Sequence, residues 1–243
     1  MTAAEKQTTA NFLDLANDYL FSGYRRPPNE YHFQDSAGEE EPLPVCYDNE
    51  SIEKIALEIK ACFNCQLGKT RTNAVPGEGV LQPLVMTIGE GPGADEDAQG
   101  RPFVGKAGQQ LDKMLASINL SRNTNCFIAN VVKCRPPNNR EPYPEEAAAC
   151  AHFLERQITI LKPKFILAAG RVAAQALLKT TDSISKMRGR FIDLTIGNLT
   201  TSILTIPLIV TYHPSAILRN PDLRAPAWED LKLLRSKLPE LLN

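Results

Sequence analysis

The sequence predicts an α/β fold: a three-layer α/β/α sandwich with a central four-stranded parallel sheet, plus an N-terminal extension. Three observations predict it. Short apolar runs at residues 84–88, 126–132, 165–169 and 206–212 read as buried strands. Segments of helical period separate them, and strands joined through helices of that length imply crossover connections within a parallel sheet. The first 50 residues have a different composition, rich in acidic residues and proline.

The elements follow in order. Ser51 can cap a helix running to about residue 61, with Glu53 in its first turn. The run 84–88 ends in a Gly-rich loop and reads as the first strand. Leu111, Met114, Leu115 and Ile118 share one face of a helix over 107–118. The second strand, 126–132, leads into a Pro-rich loop at 135–144 and a helix at 145–161. A third strand at 165–169 stops at Gly170, and a helix covers 172–178. The β-rich stretch 190–212 ends in the fourth main strand, and a last helix occupies about 227–238. Ligands in such folds bind at the carboxyl ends of the strands, so the loops after the first, second and fourth strands are the place to look for chemistry.

Before residue 50, Phe12, Leu13, Leu15, Leu20 and Phe21 are spaced to share roughly one side of an amphipathic helix. Arg25, Arg26, Pro27 and Pro28 follow, then Glu39–Glu41, Pro42 and Pro44, a linker by composition. The expected division is an extension at 1–50 and a catalytic domain at 51–243. Two readings of the extension stay open, a loosely attached tail and a helix that docks an unknown partner.

The overall net charge of −1 conceals an asymmetry. Residues 1–50 hold ten acidic and three basic residues, a net of −7, and residues 51–243 carry +6. A basic body with an acidic tail is compatible with a phosphate-binding face. With 43% hydrophobic residues, no apolar run of membrane-spanning length and no signal-peptide pattern, the chain is expected to be cytosolic, without a membrane partner and monomeric.

Six cysteines occur, at 46, 62, 65, 126, 134 and 150. Structural disulfides are not expected in the cytosol. Cys62 and Cys65 form a C-x2-C pair that follows a helix, unlike a thioredoxin-type pair, which opens one. With Cys134 and Cys150 they supply four thiolates, enough for Zn²⁺ or an iron–sulfur cluster. The missing second C-x2-C favours the cluster over a zinc ribbon. Cys126 reads as a core residue inside a strand, and Cys46 as incidental.

The motifs Gly89-Glu90-Gly91-Pro92-Gly93-Ala94-Asp95-Glu96-Asp97, Gly100-Arg101-Pro102-Phe103-Val104-Gly105, Asn130-Val131-Val132-Lys133-Cys134-Arg135-Pro136-Pro137, Lys186-Met187-Arg188-Gly189-Arg190 and His213-Pro214-Ser215 resemble, in order, those of the family 4 uracil-DNA glycosylases. The resemblance covers roughly residues 55–235. It implies a structural [4Fe-4S] cluster on Cys62, Cys65, Cys134 and Cys150, no nucleotide cofactor, and uracil-containing DNA, single- or double-stranded, as substrate. The implied reaction is monofunctional hydrolysis of the deoxyuridine N-glycosidic bond.

Such an enzyme must admit an extruded base, read its edge and stabilise negative charge at O2. The resemblance gives Asn130 as the reader, its amide offering a donor to O4 and an acceptor to N3–H, where cytosine presents the reverse. Phe103 is the stacking surface, and His213 donates toward O2. Glu90, Gly91 and Pro92 form the uracil-binding loop. Many relatives carry Asp where this chain has Gly91, which leaves the water-positioning group open among Glu90, Asp95, Glu96 and Asn138. Glu90 is favoured, then Glu96. Lys186, Arg188, Arg190, Ser215 and Arg219 suit phosphate contacts, with Lys133 and Arg140 either joining them or sitting beside the cluster, and Leu218 suits an apolar wedge. The alternatives are a uracil-recognising iron–sulfur protein without turnover and an inactive DNA-binding module. Relatives that bind covalently carry a basic, His-containing insert after the Phe103 loop, which this sequence lacks.

Overall fold

The computed structural model describes residues 2, 4–10, 50–197 and 203–238. The chain divides into two units, 1–48 and 49–243. In the first, residues 4–10 are helical, while the stripe Phe12–Phe21, the linker and Cys46 lie outside the described residues.

The second unit begins with α1 (Ile52–Ala61), whose N-terminus is capped as the sequence suggests: Lys54 N–H donates to Ser51 Oγ at 3.2 Å. A short α2 (Leu67–Thr70) and a two-residue β1 (Glu78–Gly79) lead to β2 (Val85–Gly89). Then come α3 (Ala94–Gln99), α4 (Lys106–Ala116), β3 (Cys126–Asn130), α5 (Pro144–Leu161), β4 (Phe165–Ala169), α6 (Arg171–Leu178) and α7 (Ile184–Met187). The chain continues through β5 (Phe191–Ile196), β6 (Leu204–Thr211), α8 (Pro214–Arg219) and α9 (Arg224–Arg235).

The strands form one sheet in the order β1-β3-β2-β4-β6-β5. Its centre, β3-β2-β4-β6, is the expected four-stranded parallel sheet. The structure adds an antiparallel strand at each edge, β1 against β3 and β5 against β6. The β-rich stretch after residue 190 therefore resolves into an antiparallel pair, only one member of which joins the parallel core.

Both faces of the sheet are buried, as parallel strands require. Met86, Ile88, Ile166, Ala168, Leu208 and Val210 pack against α1, α5 and α6 through Ile55, Ile59, Phe153, Leu154 and Ala173. Their neighbours Val85, Ile128, Leu167 and Ile209 point the other way, onto Leu111, Leu115, Leu231 and Leu234 of α4 and α9. This period-2 division fixes the register, so the last residues of β2, β3 and β6 meet at one end of the sheet.

Candidate active site

At that end Gly89 closes β2 beside Asn130, its register partner on β3. A Cβ on Gly89 would lie 2.4 Å from Cζ of Phe103 and 2.5 Å from Oδ1 of Asn130. Glycine is thus what lets the aromatic ring and the amide share one space. Asn130 is 1% exposed, and its Oδ1 has no hydrogen-bond partner among the described residues. A buried acceptor left open in this way is costly unless a ligand donates to it.

Phe103 is 6% exposed and has φ +52, a left-handed backbone that non-glycine residues adopt at a cost of about 1–3 kcal/mol. Two devices hold it there. Arg122 donates to the carbonyls of Pro102 and Phe103, both at 2.8 Å, and pairs with Asp112 at 2.9 Å. From the other side, Glu96 Oε1 accepts from the N–H groups of Val104 (2.8 Å) and Gly105 (2.9 Å), while its Oε2 accepts from Gly93 N–H at 3.0 Å. The Glu96 carboxylate is therefore committed to shaping the loop and to capping α3, and its position departs from that of a free base. Asp95 and Asn138 are exposed, and Gly105 caps α4 directly, with no segment between.

His213 caps α8. Its ring centroid is 5.7 Å from that of Phe103. Ser215 N–H donates to Nδ1 at 3.1 Å, and Ser215 Oγ lies 2.8 Å from the same nitrogen. Burial, with the Arg219 charge adding to it, pushes the imidazole down to about 4. Both features describe a neutral ring with its proton on Nε2.

Glu90 follows Gly89 and is half-buried. Burial, reinforced by the Glu141 charge, pushes its carboxyl up to about 7, against the pull of Arg171 and Arg219. Gly91 packs against Val132, where a Cβ would come within 2.8 Å of Cγ2, and Pro92 is buried. The Glu90 turn is thereby held to the segment that follows Asn130, and Val132 N–H donates to Glu90 O at 3.2 Å.

The basic residues divide. Lys186 is 72% exposed and loosely paired with Asp182 at 3.4 Å, and Arg190 and Arg219 are exposed. Leu218, on α8, is 44% exposed. Arg188 is turned inward: it pairs with the fully buried Asp230 at 3.0 Å, donates to the Pro226 carbonyl and lies 5.3 Å from the Tyr212 ring. Its guanidinium is engaged within the fold. Lys133, also considered for phosphate, is fully buried, and Arg140 pairs with Glu146 at 2.7 Å.

Cys62, Cys65, Cys134 and Cys150 line one recess together with Arg71, Lys133 and Phe153. All four are free thiols. The C-x2-C loop rests on Gly68, where a Cβ would be 3.0 Å from the Cys62 carbonyl. Arg71 joins the end of α1 to the recess: Nη1 donates to Ile59 O (3.2 Å) and Cys134 Sγ (2.9 Å), Nη2 to Lys60 O (2.6 Å). Lys133 N–H donates to Cys150 Sγ at 3.3 Å and Asn64 N–H to Cys62 Sγ at 3.5 Å. No group of three or more His, Cys, Asp or Glu among the described residues is arranged to hold a metal ion. Cys126 lies apart in the core, its thiol pushed by burial to about 12.

Sequence reasoning gave no role to Arg71, to Gly89 beyond its place in a motif, or to Arg122. The first two carry a weak local signal, an arginine shortly after a C-x2-C pair and a glycine at a strand end. Arg122 acts on carbonyls 19 and 20 residues away and carries none.

Residues 76–232 match the uracil DNA glycosylase superfamily. The chain is 44% identical to a type-4 uracil-DNA glycosylase of Sulfurisphaera tokodaii, over 76% of this chain and 84% of that one. It is 44% identical to one of Pyrobaculum aerophilum, over 75% and 92%. For one of Archaeoglobus fulgidus the identity is 42%, over 80% and 98%. The chain therefore belongs to the uracil-DNA glycosylase superfamily, in its type-4 branch.

Proposed function

We propose that this chain is a uracil-DNA glycosylase that hydrolyses the N-glycosidic bond of deoxyuridine in DNA, releasing uracil and leaving an abasic site. The observation that carries this reading is the open Oδ1 of Asn130, buried against Phe103 at the point where only a glycine fits. An extruded uracil stacks on Phe103 and donates N3–H to Oδ1, and the amide nitrogen donates to O4. Cytosine, unprotonated at N3, would face one acceptor with another.

As the C1′–N1 bond breaks, its electron pair moves into the uracil ring and mainly onto O2. The Nε2–H of neutral His213 donates there, an electrostatic contribution of about 2.7–4 kcal/mol for a well-placed donor. Glu90, as carboxylate, orients a water whose oxygen bonds to C1′ and whose proton the carboxylate accepts. Glu96 acts as a positioning residue for the Phe103 loop. Lys186, Arg190, Ser215 and Arg219 contact phosphates, and Leu218 fills the vacated stack.

The cysteine recess fits a [4Fe-4S] cluster. Four cysteines surround it, three of their sulfurs receive N–H hydrogen bonds, and two cationic side chains line its wall. Cys62, Cys65, Cys134 and Cys150 would hold it. When bound, the cluster cross-links α1, the segment after β3 and α5. Its role is structural, and the protein acts as a monomer in the cytosol.

The test is incubation with uracil-containing single- and double-stranded oligonucleotides followed by alkaline cleavage of abasic sites. Multiple turnovers with release of free uracil are expected. A protein–DNA adduct or retention without product would overturn the reading.

A further inference from the structure

Lys133 is a fully buried lysine with no carboxylate within ion-pair distance among the described residues. Burying an ammonium is expensive unless it is hydrogen-bonded and electrostatically compensated. Its Nζ donates to the Asn130 carbonyl at 2.9 Å and to Gln157 Oε1 at 2.7 Å. Gln157 in turn donates to the Pro76 carbonyl at 2.8 Å. The backbone of Lys133 is equally committed: its N–H donates to Cys150 Sγ, and its carbonyl accepts from Val75 N–H at 2.8 Å. Cys150 and Gln157 lie two turns apart on one face of α5, so this lysine joins that face to the end of β3 at two points.

We propose that Lys133 is the positioning residue through which the cysteine centre sets the orientation of Asn130. This rests on the uracil-reading role of Asn130 proposed above. The Asn130 carbonyl and side chain belong to one residue at a strand end, so holding the carbonyl limits rotation of the backbone that aims the amide. The anchor for that hold is α5, whose first turns are fixed by Cys150. Loss of the centre frees α5 and the turn at Lys133 together, and the amide loses its aim while the phosphate-contacting residues on α8 keep theirs.

Lys133→Met, in the full chain, keeps the length and apolar stem and removes the ammonium. Affinity is measured for DNA carrying a non-hydrolysable deoxyuridine analogue and for the same DNA with thymidine, each with the metal centre loaded and after chelation. The expected result is a visible absorbance like that of the wild type and unchanged affinity for thymidine DNA. Affinity for the uracil analogue falls about tenfold or more, as small misplacements of a reading group produce. Chelation lowers the uracil affinity of the wild type by a similar factor and that of Lys133→Met by little more, since the two changes break one connection. Uracil affinity like that of the wild type, or losses from mutation and chelation that simply multiply, overturns the proposal. Should Lys133→Met not fold, Gln157→Met leaves the Lys133–Asn130 bond and removes its anchor on α5. A selective loss of uracil affinity there supports the proposal, and wild-type affinity overturns it. A wild type that excises no uracil in the alkaline-cleavage assay counts against the glycosylase reading itself, whereas the affinity measurements test the Lys133 connection.

Discussion

The backbone N–H of Ser215 donates to Nδ1 of His213 at 3.1 Å, so Nδ1 must present a lone pair. The proton of the neutral ring then resides on Nε2, free to meet a developing oxyanion. Nitrogen chemical shifts should show the neutral Nε2–H form down to pH 5, because burial holds the ring near 4. His213→Ala should cost about 10²–10³-fold in kcat with little change in DNA affinity. A ring that gains its second proton near pH 6.5 would remove the neutral-donor account.

Burial of Glu90 leads to two expected pH dependences of opposite sign. Its carboxyl is raised to about 7, so kcat/KM should climb through that pH as the carboxylate forms. Stability should move the other way. Between about 4.5 and 7 the native state holds a proton that the unfolded chain has lost, so raising the pH through this window destabilises the fold. Glu90→Gln should abolish the pH dependence, lower kcat about 10²–10³-fold and raise the melting temperature at pH 8 relative to wild type. Melting curves and rate profiles over pH 5–9 test both signs.

Gly89→Ala places a methyl 2.4 Å from Phe103 and 2.5 Å from Asn130 Oδ1. The strand is central and cannot retreat, so the ring and amide must part. A stability loss of about 1–3 kcal/mol and a fall of about 100-fold in kcat/KM are expected. A variant that excises uracil like the wild type would show that the two groups do not share the base.

The parts of this design legible in the sequence are those with a local signature. Four apolar runs mark the parallel core, while Asn130 and His213 are recognisable through the motifs that carry the resemblance, Asn130 within the second run and His213 just after the fourth. β1 is not legible: two residues, Glu78 and Gly79, make too short a pattern, and pairing with β3 defines the strand. Arg188 shows the same limit for function. Between Lys186 and Arg190 it reads as one more phosphate ligand, yet Asp230, 42 residues on, takes its charge. Glu96 stands three residues after Gly93, a spacing that marks a helix cap, but its bonds to Val104 and Gly105 come from a loop fold no pattern encodes.

The basic residues make a prediction of opposite outcomes within one short motif. Arg188→Ala leaves Asp230 buried without its partner and should cost about 3–5 kcal/mol of stability, read by denaturant unfolding. Lys186→Ala and Arg190→Ala should leave unfolding unchanged. Each should weaken binding to DNA of any sequence and reduce the slope of log K against log salt by about one. Equal effects of all three on stability would remove the distinction.

Cys134 carries the last prediction because two structural demands meet there. Its Sγ accepts from Arg71, which also holds the carbonyls of Ile59 and Lys60 at the end of α1. It also lies four residues beyond Asn130, in the turn that Val131 and Val132 tie back to the Glu90 loop. Cys134→Ser keeps a hydrogen-bond acceptor for Arg71 but supplies no thiolate to a metal. If Arg71 alone secured the turn, the variant would melt with the wild type. If a cluster secures it, the variant should lose the broad visible absorbance, bind substoichiometric iron and melt lower, with folding now independent of metal. Uracil excision should fall further than affinity for undamaged DNA, because the segment released leads directly from Asn130. A colourless Cys134→Ser protein with full stability and full activity would exclude a structural cluster.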